Sequence, residues 1–239
     1  MRALVVLAHP EPRSFNAALK DATLEVLAAR GAQVVVSDLY ADGFGAVAGR
    51  ADFTTVRDAD RLNLSLEQRH ALGHDGLAPE VARELGRLRA ADLLVLHFPL
   101  WWFGLPAILK GWIDRVFVSG GVYGRSAVFE RGRLRGKRAI ACVTTGAPEA
   151  AFGRDGLFGD LDTLLRPLHR GVLGFTGMTV LPPYAAWHVP YVGAAERGTM
   201  IDAWREHLGA LDTLVPLPMP TLADHPESGF GDGPRPGAG

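Results

Sequence analysis

The stretch that most constrains the fold spans residues 92–115 and reads DLLVLHFPLWWFGLPAILKGWIDR. Residues 93–98 form a short apolar run between Asp92 and Pro99, which is typical of a strand buried on both faces of a parallel sheet. Pro106 suits the first position of a helix. Apolar residues then recur at helical spacing, at Ile108, Leu109, Trp112, Ile113 and Val116. The stretch therefore predicts a central strand, a sharp corner and a helix.

The corner between this strand and helix carries large apolar side chains. Open α/β sheets bind their ligands at the carboxyl ends of strands, so a flat ligand on these side chains is one interpretation. Packing into the core is the other, and the segment alone leaves both open. A transmembrane span is disfavoured, because prolines interrupt the apolar run and Lys110 ends it. The corner residues are Leu100, Trp101, Trp102 and Phe103.

Composition narrows the classes of partner. The 239 residues include 25 Lys and Arg against 26 Asp and Glu, and this balance disfavours a nucleic-acid or anionic-membrane partner. Cys142 is the only cysteine and lies in an apolar run, so we expect a small buried side chain rather than a nucleophile or a disulfide. The amino terminus shows no signal-peptide pattern, and a cytoplasmic protein without stable membrane insertion is expected.

The first predicted loop is a candidate anion site. Residues 3–8 read as a strand and residues 15–30 as a helix ended by Gly31. Ser14 suits the N-cap, which would leave the amides of Phe15, Asn16 and Ala17 free for a phosphate. His9 and the Asn16 side chain are further donors, although an exposed loop histidine is an equal alternative for His9. The loop has neither a Rossmann glycine fingerprint nor a Walker loop.

The rest of the chain continues the alternation of strands and helices. A second small-residue loop, Thr145 to Pro148, follows a predicted strand, where backbone amides can approach a ligand closely. We predict an α/β fold with a flavodoxin-like, doubly wound, five-stranded parallel sheet of order 2-1-3-4-5 over residues 1–215. A Pro/Gly-rich tail over 216–239 is expected to form a mobile arm, or a strap that becomes ordered only against a partner. Further strands are expected at 33–39, 138–144 and 178–181, and helices at 62–72, 77–90, 160–170 and 194–214.

Several motifs resemble one known family. They are AHPEPRSFN at 8–16, SDLY at 37–40, FPLWWFGLPAILKGWIDRVF at 98–117, VTTG at 143–146 and the segment 159–183. In order and spacing they are similar to the NAD(P)H:quinone oxidoreductases, the DT-diaphorase family of FAD-dependent homodimers, over most of residues 3–213. The resemblance implies an NAD(P)H dehydrogenase (quinone) that uses FAD, less readily FMN, and transfers two electrons as hydride in a ping-pong cycle to a quinone or similar flat acceptor.

The resemblance also implies roles for single residues. Arg197 would lie near the adenine of a neighbouring subunit's FAD, and Tyr123 would line the substrate pocket across the dimer interface. The amides of Gly146 and Ala147 would stabilise negative charge on the reduced flavin, as an oxyanion hole does. The FAD diphosphate and ribose would be held by His9, Ser14, Phe15 and Asn16, the isoalloxazine edge by Pro99, Leu100, Trp101, Trp102 and Phe103, and its pyrimidine end by Thr144, Thr145, Gly146 and Ala147.

The chain departs from the family pattern at catalytic positions. Phe152 and Phe158 stand where relatives carry a tyrosine and a histidine, and neither phenylalanine can donate a hydrogen bond. Pro148 removes one amide, and Ala147 would be strained if the loop requires a positive φ. Arg170 and Gly174 occupy the histidine positions of a metal-binding branch, so no metal is expected. A nitro or azo reductase, a flavodoxin-type electron carrier and an ancillary subunit of a potassium-efflux system are the alternatives.

Overall fold

A computed structural model describes residues 1–230 of the chain. Its regular elements alternate along the sequence as expected, and most boundaries agree with the predictions to within about two residues. The strands are β1 (Arg2–Leu7), β2 (Gln33–Asp38), β3 (Leu93–Pro99), β4 (Arg138–Thr144), β5 (Thr179–Val180) and β6 (Tyr184–Ala186). The helices are α1 (Phe15–Ala29), α2 (Leu64–Gly73), α3 (Pro79–Ala90), α4 (Ala107–Val116), α5 (Leu161–Leu168) and α6 (Ala194–Gly209).

The sheet confirms the predicted order. Its parallel strands run β2-β1-β3-β4-β5, and β6 also pairs with β4. The predicted fifth strand is therefore two short strands, which pair with the beginning and with the end of β4. Pro182 and Pro183 separate them, and a residue without an N–H that fixes φ interrupts a strand ladder.

Helices cover both faces of the sheet, as a parallel sheet requires. One face packs against α3, α4 and α5 and buries Trp112. The other packs against α1 and α6 and buries Trp204. The helix starts follow from local sequence, since the side chains of Ser14, Asn63 and Asp160 accept hydrogen bonds from amides in the first turns of α1, α2 and α5.

Three helix boundaries differ from the predictions. Pro106 is the N-cap of α4 rather than its first residue, and α6 ends at Gly209 rather than at residue 214. Helix α5 ends at Leu168 and continues as a π-helix over His169–Gly174. Pro167 lies inside α5 and lacks the N–H that continues the α-helical ladder, so a wider turn follows.

Residues 216–230 differ from the expected mobile arm, because they lie against the chain's own domain. The Leu217 amide donates to the Val180 carbonyl at 2.8 Å. The Leu222 amide donates to the Glu130 carboxylate at 3.0 Å. Leu217 and Met219 pack against the core. The segment up to residue 230 is thus a strap on its own domain, the division at residue 215 stays a prediction, and residues 231–239 lie outside the described residues.

Candidate functional site

The fold brings three of the predicted loops to one edge of the sheet. Strands β1, β3 and β4 are adjacent and parallel, so the loops that follow them leave the sheet side by side. Hydrogen bonds join these loops at their bases, since the Ala8 amide donates to the His97 carbonyl at 2.9 Å and the Leu100 amide to the Thr144 carbonyl at 2.8 Å. The edge therefore presents one continuous surface built from the HPEPRS, WWF and TTG segments.

The first loop places a helix N-terminus at this edge. The Ser14 hydroxyl caps α1 by accepting from the Ala17 amide at 3.2 Å, so Ala17 is not one of the free donors. The amides of Phe15 and Asn16 have no hydrogen-bond partner within residues 1–230. Two N–H groups at the positive end of a helix therefore remain available to an anion.

His9 stands beside this helix N-terminus as a neutral donor. Its Nδ1 accepts a hydrogen bond from the Glu11 amide at 3.0 Å, which leaves the ring proton on Nε2. Burial lowers the pKa of His9 from its ordinary value of 6.5. Its ring centroid lies 6.0 Å from that of Trp101. His9 thus connects the first loop with the aromatic corner.

Asn16 corrects one expectation about side-chain donors. The side chain is 2% exposed, and its Nδ2 donates to the Thr144 hydroxyl at 2.7 Å. It therefore joins α1 to the end of β4 rather than presenting a donor at the surface. Its Oδ1 is buried and has no partner among the described residues. Asn16 contributes its backbone amide to the edge, while its side chain fixes two of the loops relative to each other.

The aromatic corner is exposed, which excludes core packing as its explanation. Trp101, Trp102 and Phe103 are 42%, 95% and 44% exposed, and none of them belongs to either buried cluster. Pro99 is buried and Leu100 packs against the core, so these two members of the predicted set support the corner from below. Large apolar surface that is held open at a strand end is suited to a ligand.

The backbone of the corner is strained. Trp102 has φ of 50° and Phe103 has φ of 60°, a left-handed conformation that costs residues with a side chain about 1–2 kcal/mol each. The Gly104 amide donates to the Trp101 carbonyl at 3.0 Å and closes the turn. Such strain persists only where the surrounding structure enforces it, and it is commonest at binding sites.

The TTG loop offers fewer free amides than expected. The Thr145 amide donates to the Ala186 carbonyl at 3.0 Å, and the Ala147 amide donates to the Thr145 hydroxyl at 3.1 Å. Within residues 1–230, the Gly146 amide has no partner. Ala147 is not among the residues with positive φ, so the strain expected there does not arise. Gly146 is therefore the residue of this loop whose amide remains available as a donor.

Within residues 1–230, Arg197 reaches the three loops only through Val189, and Tyr123 lines a cavity that they do not line. Arg197 Nη2 donates to the Val189 carbonyl at 2.9 Å, and the Val189 amide donates to the Thr145 carbonyl at 3.0 Å, so Arg197 supports the TTG loop of its own chain. Tyr123 lines a separate cavity of about 430 Å³ and contacts Phe175. The other predicted site residues do not line that cavity. The contacts expected of both residues across a subunit interface stay predictions.

Phe152 and Phe158 belong to a group of aromatic rings that also contains Trp187. Phe158 contacts Phe103 of the corner, and Phe152 contacts Trp187, the residue after β6. Trp187 was not predictable as a site residue, because a three-residue strand carries too little sequence pattern for its carboxyl end to be located. The sequence feature that could have indicated Trp187 is an aromatic residue soon after the Pro182–Pro183 pair.

Among the described residues, no group of three His, Cys, Asp or Glu side chains is arranged to hold a metal ion. No helix within residues 1–230 is long and apolar enough to cross a bilayer.

Comparison with known proteins decides the family. Residues 1–208 match the sequence profile of the flavodoxin-like fold. The chain is 37% identical over 217 residues to NAD(P)H dehydrogenase (quinone) 1 of Cavia porcellus, which covers 90% of this chain and 79% of the relative. The chain belongs to the NAD(P)H:quinone oxidoreductase family.

Other members of the quinone oxidoreductase family give the same result. Human ribosyldihydronicotinamide dehydrogenase (quinone) is 37% identical over 218 residues, covering 91% of this chain and 94% of the relative. The crystal structure of a Klebsiella pneumoniae protein described as a putative quinone reductase superimposes with a TM-score of 0.86 at 34% identity, covering 91% of this chain and 87% of that one. The resemblance inferred from the motifs is therefore confirmed.

Proposed function

We propose that this chain is an NAD(P)H dehydrogenase (quinone) that holds FAD at the edge formed by β1, β3 and β4. The observation that carries the proposal is the exposed corner Trp101–Trp102–Phe103 beside the unpartnered amides of Phe15, Asn16 and Gly146. A flat ring system would cover the apolar side chains, and a diphosphate would satisfy the amides of the helix N-terminus. Family membership supports the same assignment.

The residues present fit a flavin dinucleotide. The amides of Phe15 and Asn16, with the Nε2–H of His9, would hold the diphosphate. The WWF corner would flank the ring system, and the Gly146 amide would face its pyrimidine end. FAD is favoured over FMN because the similarity to the relatives extends over 217 residues and so includes α6. This helix carries Arg197, the residue expected near the adenine, which FMN lacks. The flavin would accept hydride from NAD(P)H and deliver it to the quinone, each substrate occupying the same place in turn.

Gly146 supplies the main electrostatic contribution of the chain. A preorganised N–H that faces developing negative charge lowers a barrier by about 3 kcal/mol. In this chain Phe152 and Phe158 have no donor to share that role. We therefore assign the stabilisation of charge near the pyrimidine end to the Gly146 amide, with the Thr145 hydroxyl holding Ala147 and hence the shape of the loop.

The proposal includes a homodimer in the cytoplasm. Tyr123 lines a cavity that the other proposed site residues do not line, which agrees with a role at the site of a second copy. Size-exclusion chromatography with light scattering would give the subunit number. A monomer that turns over quinones at the full rate would contradict the contribution of Tyr123 across an interface.

The first experiment identifies the cofactor and the activity. Gently purified protein should show flavin absorbance, and the mass of the flavin released by heat should match FAD. Adding a quinone should then increase NAD(P)H oxidation, and a nitro or azo dye serves as the alternative acceptor. Protein that is colourless and binds neither added FAD nor added FMN would contradict the proposal. Flavin-bound protein without turnover would instead favour an ancillary subunit or an electron carrier.

A matched pair of substitutions tests the role of Gly146. A Cβ at this position would lie 3.8 Å from Pro190, an ordinary contact, so Gly146→Ala should retain activity. Gly146→Pro removes the N–H and should lower kcat by about 100-fold. Circular dichroism and flavin content should show that both variants fold and bind cofactor. Equal activity of the two variants would exclude the Gly146 amide as the charge-stabilising donor.

A further inference from the structure

Four aromatic rings form a continuous wall along the site. They come from the loops that follow three different strands, namely Phe103 after β3, Phe152 and Phe158 after β4, and Trp187 after β6. The ring centroids of Phe103 and Phe158 are 5.1 Å apart, those of Phe158 and Phe152 are 5.6 Å apart, and those of Phe152 and Trp187 are 4.9 Å apart. All three contacts are tilted or edge-on, the arrangement that aromatic pairs prefer. We call Phe103, Phe158, Phe152 and Trp187 the aromatic wall.

Core packing does not account for the aromatic wall. None of its four residues belongs to either buried cluster, and none of them is buried. Rings that pack only to fill the interior would be covered on all sides, whereas these four keep part of their surface open. An apolar surface that is left open beside a strand-end cleft is the usual lining of a small-molecule site.

Backbone hydrogen bonds hold the wall at the site. The Phe158 amide donates to the Ala151 carbonyl at 2.9 Å, which closes the loop after β4 into a compact turn. Trp187 is followed by His188 and Val189, whose amides donate to the carbonyls of Ala147 and Thr145 at 3.0 Å. Trp187 is therefore held directly beside the loop that presents the Gly146 amide, at the opposite end of the wall from Phe103.

We propose that Trp187 is a specificity-determining residue that extends the acceptor site, so that this chain prefers planar acceptors with several fused rings over acceptors with one ring. The inference rests on the proposed quinone reductase function and deepens it. A single quinone ring can contact only part of a wall of four successive rings. A three-ring acceptor can lie against Phe103 and Phe152 and still contact Trp187, and each additional ring contact strengthens binding.

The chemistry of the wall supports an apolar acceptor. Phe103, Phe152 and Phe158 have no hydrogen-bonding group, and the Trp187 indole N–H has no partner within residues 1–230. An acceptor rich in hydroxyl or charged groups along its ring system would lose hydration against the three phenylalanines without regaining hydrogen bonds from them. The acceptors selected by the wall are thus extended, flat and apolar along their length, with the reducible carbonyls at one end.

The test compares acceptors of one, two and three rings on the FAD-loaded enzyme. The dissociation constants of 1,4-benzoquinone, 1,4-naphthoquinone and 1,4-anthraquinone, which all carry their carbonyls on a terminal ring, are measured by calorimetry without NAD(P)H, and kcat/KM is measured with it. The unmodified enzyme should bind the three-ring acceptor most tightly. Trp187→Ala should weaken three-ring binding by about five- to tenfold and leave one-ring binding within twofold. Its kcat/KM values should change in the same proportions.

Two further variants keep the interpretation specific. Trp187→Phe retains a ring and should keep the three-ring acceptor within about twofold of the unmodified enzyme. Tyr191→Ala removes a nearby aromatic residue that is 76% exposed and lies outside the wall, and it should change neither constant. Equal losses for all ring sizes in Trp187→Ala, no loss at all, or the same loss in Trp187→Phe would each overturn the proposal.

The same measurements distinguish failure of the proposed quinone reductase function from failure of the role of Trp187. If the unmodified, flavin-bound protein reduced no quinone of any size, the proposed function itself would be wrong. If it reduced quinones without regard to ring number, the function would stand and the role of Trp187 would fall. The calorimetric constants test the ring preference independently of turnover.

Discussion

Two neighbouring sites that carry aromatic residues, one around His97 of β3 and one in the corner that follows β3, differ in burial and in hydrogen bonding. His97, in β3, is fully buried with Thr23 of α1 and Trp204 of α6, and the Thr23 hydroxyl oxygen lies 2.9 Å from both His97 Nε2 and Trp204 Nε1. The WWF corner that follows is exposed and strained, and its indole N–H groups have no partner among the described residues. Partners and burial, rather than residue type, separate a structural cluster from a binding surface.

The buried cluster is hydrogen-bonded almost throughout. The Thr23 hydroxyl donates to the Leu19 carbonyl at 3.0 Å and accepts from Trp204 Nε1, so it joins α1 and α6 beneath the sheet. His97 Nδ1 is its one polar atom without a partner within residues 1–230. Replacing a side chain of the buried cluster therefore breaks hydrogen bonds within the protein, whereas the exposed corner can exchange water for a ligand.

The largest expected effect is the loss of Trp204. Trp204→Ala leaves a cavity between α6 and the sheet and should lower the free energy of unfolding by about 3–5 kcal/mol. Trp102→Ala, at a side chain that is 95% exposed, should change it by less than about 0.5 kcal/mol. Urea unfolding of both variants measures the contrast. Similar losses at the two positions would show that the corner contributes to the core.

The second prediction concerns the loss of folding stability at acid pH. Burial, with a smaller contribution from Lys20, lowers the pKa of His97 to about 3, and burial lowers the pKa of His169 to about 4. The unfolded chain binds protons at these side chains below about pH 6.5, whereas the folded chain does not until the pH nears the lowered values. Stability is therefore lost as the pH falls through this window, by about 2 kcal/mol per histidine at pH 5.

One substitution measures how much of this pH dependence of stability comes from His97. His97→Gln cannot titrate but can still bond to Thr23, so its loss of stability between pH 7 and pH 5 should be smaller than that of the unmodified chain by about 2 kcal/mol. Urea unfolding at the two pH values gives the difference. The same pH dependence in both proteins would mean that His97 is hydrated or protonated in the folded state.

The fold was predictable because its signals are local and repeated. The apolar run of β3, the Ser14 cap and Gly31 at the end of α1 each mark one element, and the alternation of strands and helices along the chain favours the sheet order that the structure confirms. The division of the last strand into β5 and β6 was not predictable to the same degree. Strands of two and three residues are defined by their pairing with β4, which periodicity does not reveal.

The location of the candidate site follows from the sequence, whereas the set of amides that remain free at it does not. The loops that contain His9, Trp102 and Thr145 were predicted to bind a ligand because they follow the carboxyl ends of strands, and the structure brings these loops together. Which amides stay free depends on short side-chain bonds, such as Ser14 to Ala17 and Thr145 to Ala147, that sequence spacing does not determine. Trp187 reaches the wall only through tertiary packing, so no local pattern marked it.

The third prediction uses the strain of the corner. Trp102→Gly removes a side chain from a left-handed position and should raise the free energy of unfolding by up to about 1 kcal/mol, because the relief of strain exceeds the added entropy of the unfolded chain. Trp101→Gly, at a residue without positive φ, should instead lower it by about 0.5–1 kcal/mol. Thermal and urea unfolding test the pair, and flavin affinity should fall in Trp102→Gly. A loss of stability as large as that of Trp101→Gly would contradict the strain argument.

The smallest expected effect is a gain of function at the wall. Phe152→Tyr keeps the ring contacts with Phe158 and Trp187 and adds a hydroxyl donor to the aromatic wall. One additional hydrogen bond of ordinary strength should raise the rate of flavin reduction by NAD(P)H about two- to tenfold in stopped-flow measurements. Phe53→Tyr, at a partly buried ring that packs against the core, is the matched control and should leave the rate unchanged. An unchanged or lower rate in Phe152→Tyr would mean that the Gly146 amide already saturates the need for a donor, and that the aromatic wall serves the acceptor rather than the charge on the flavin.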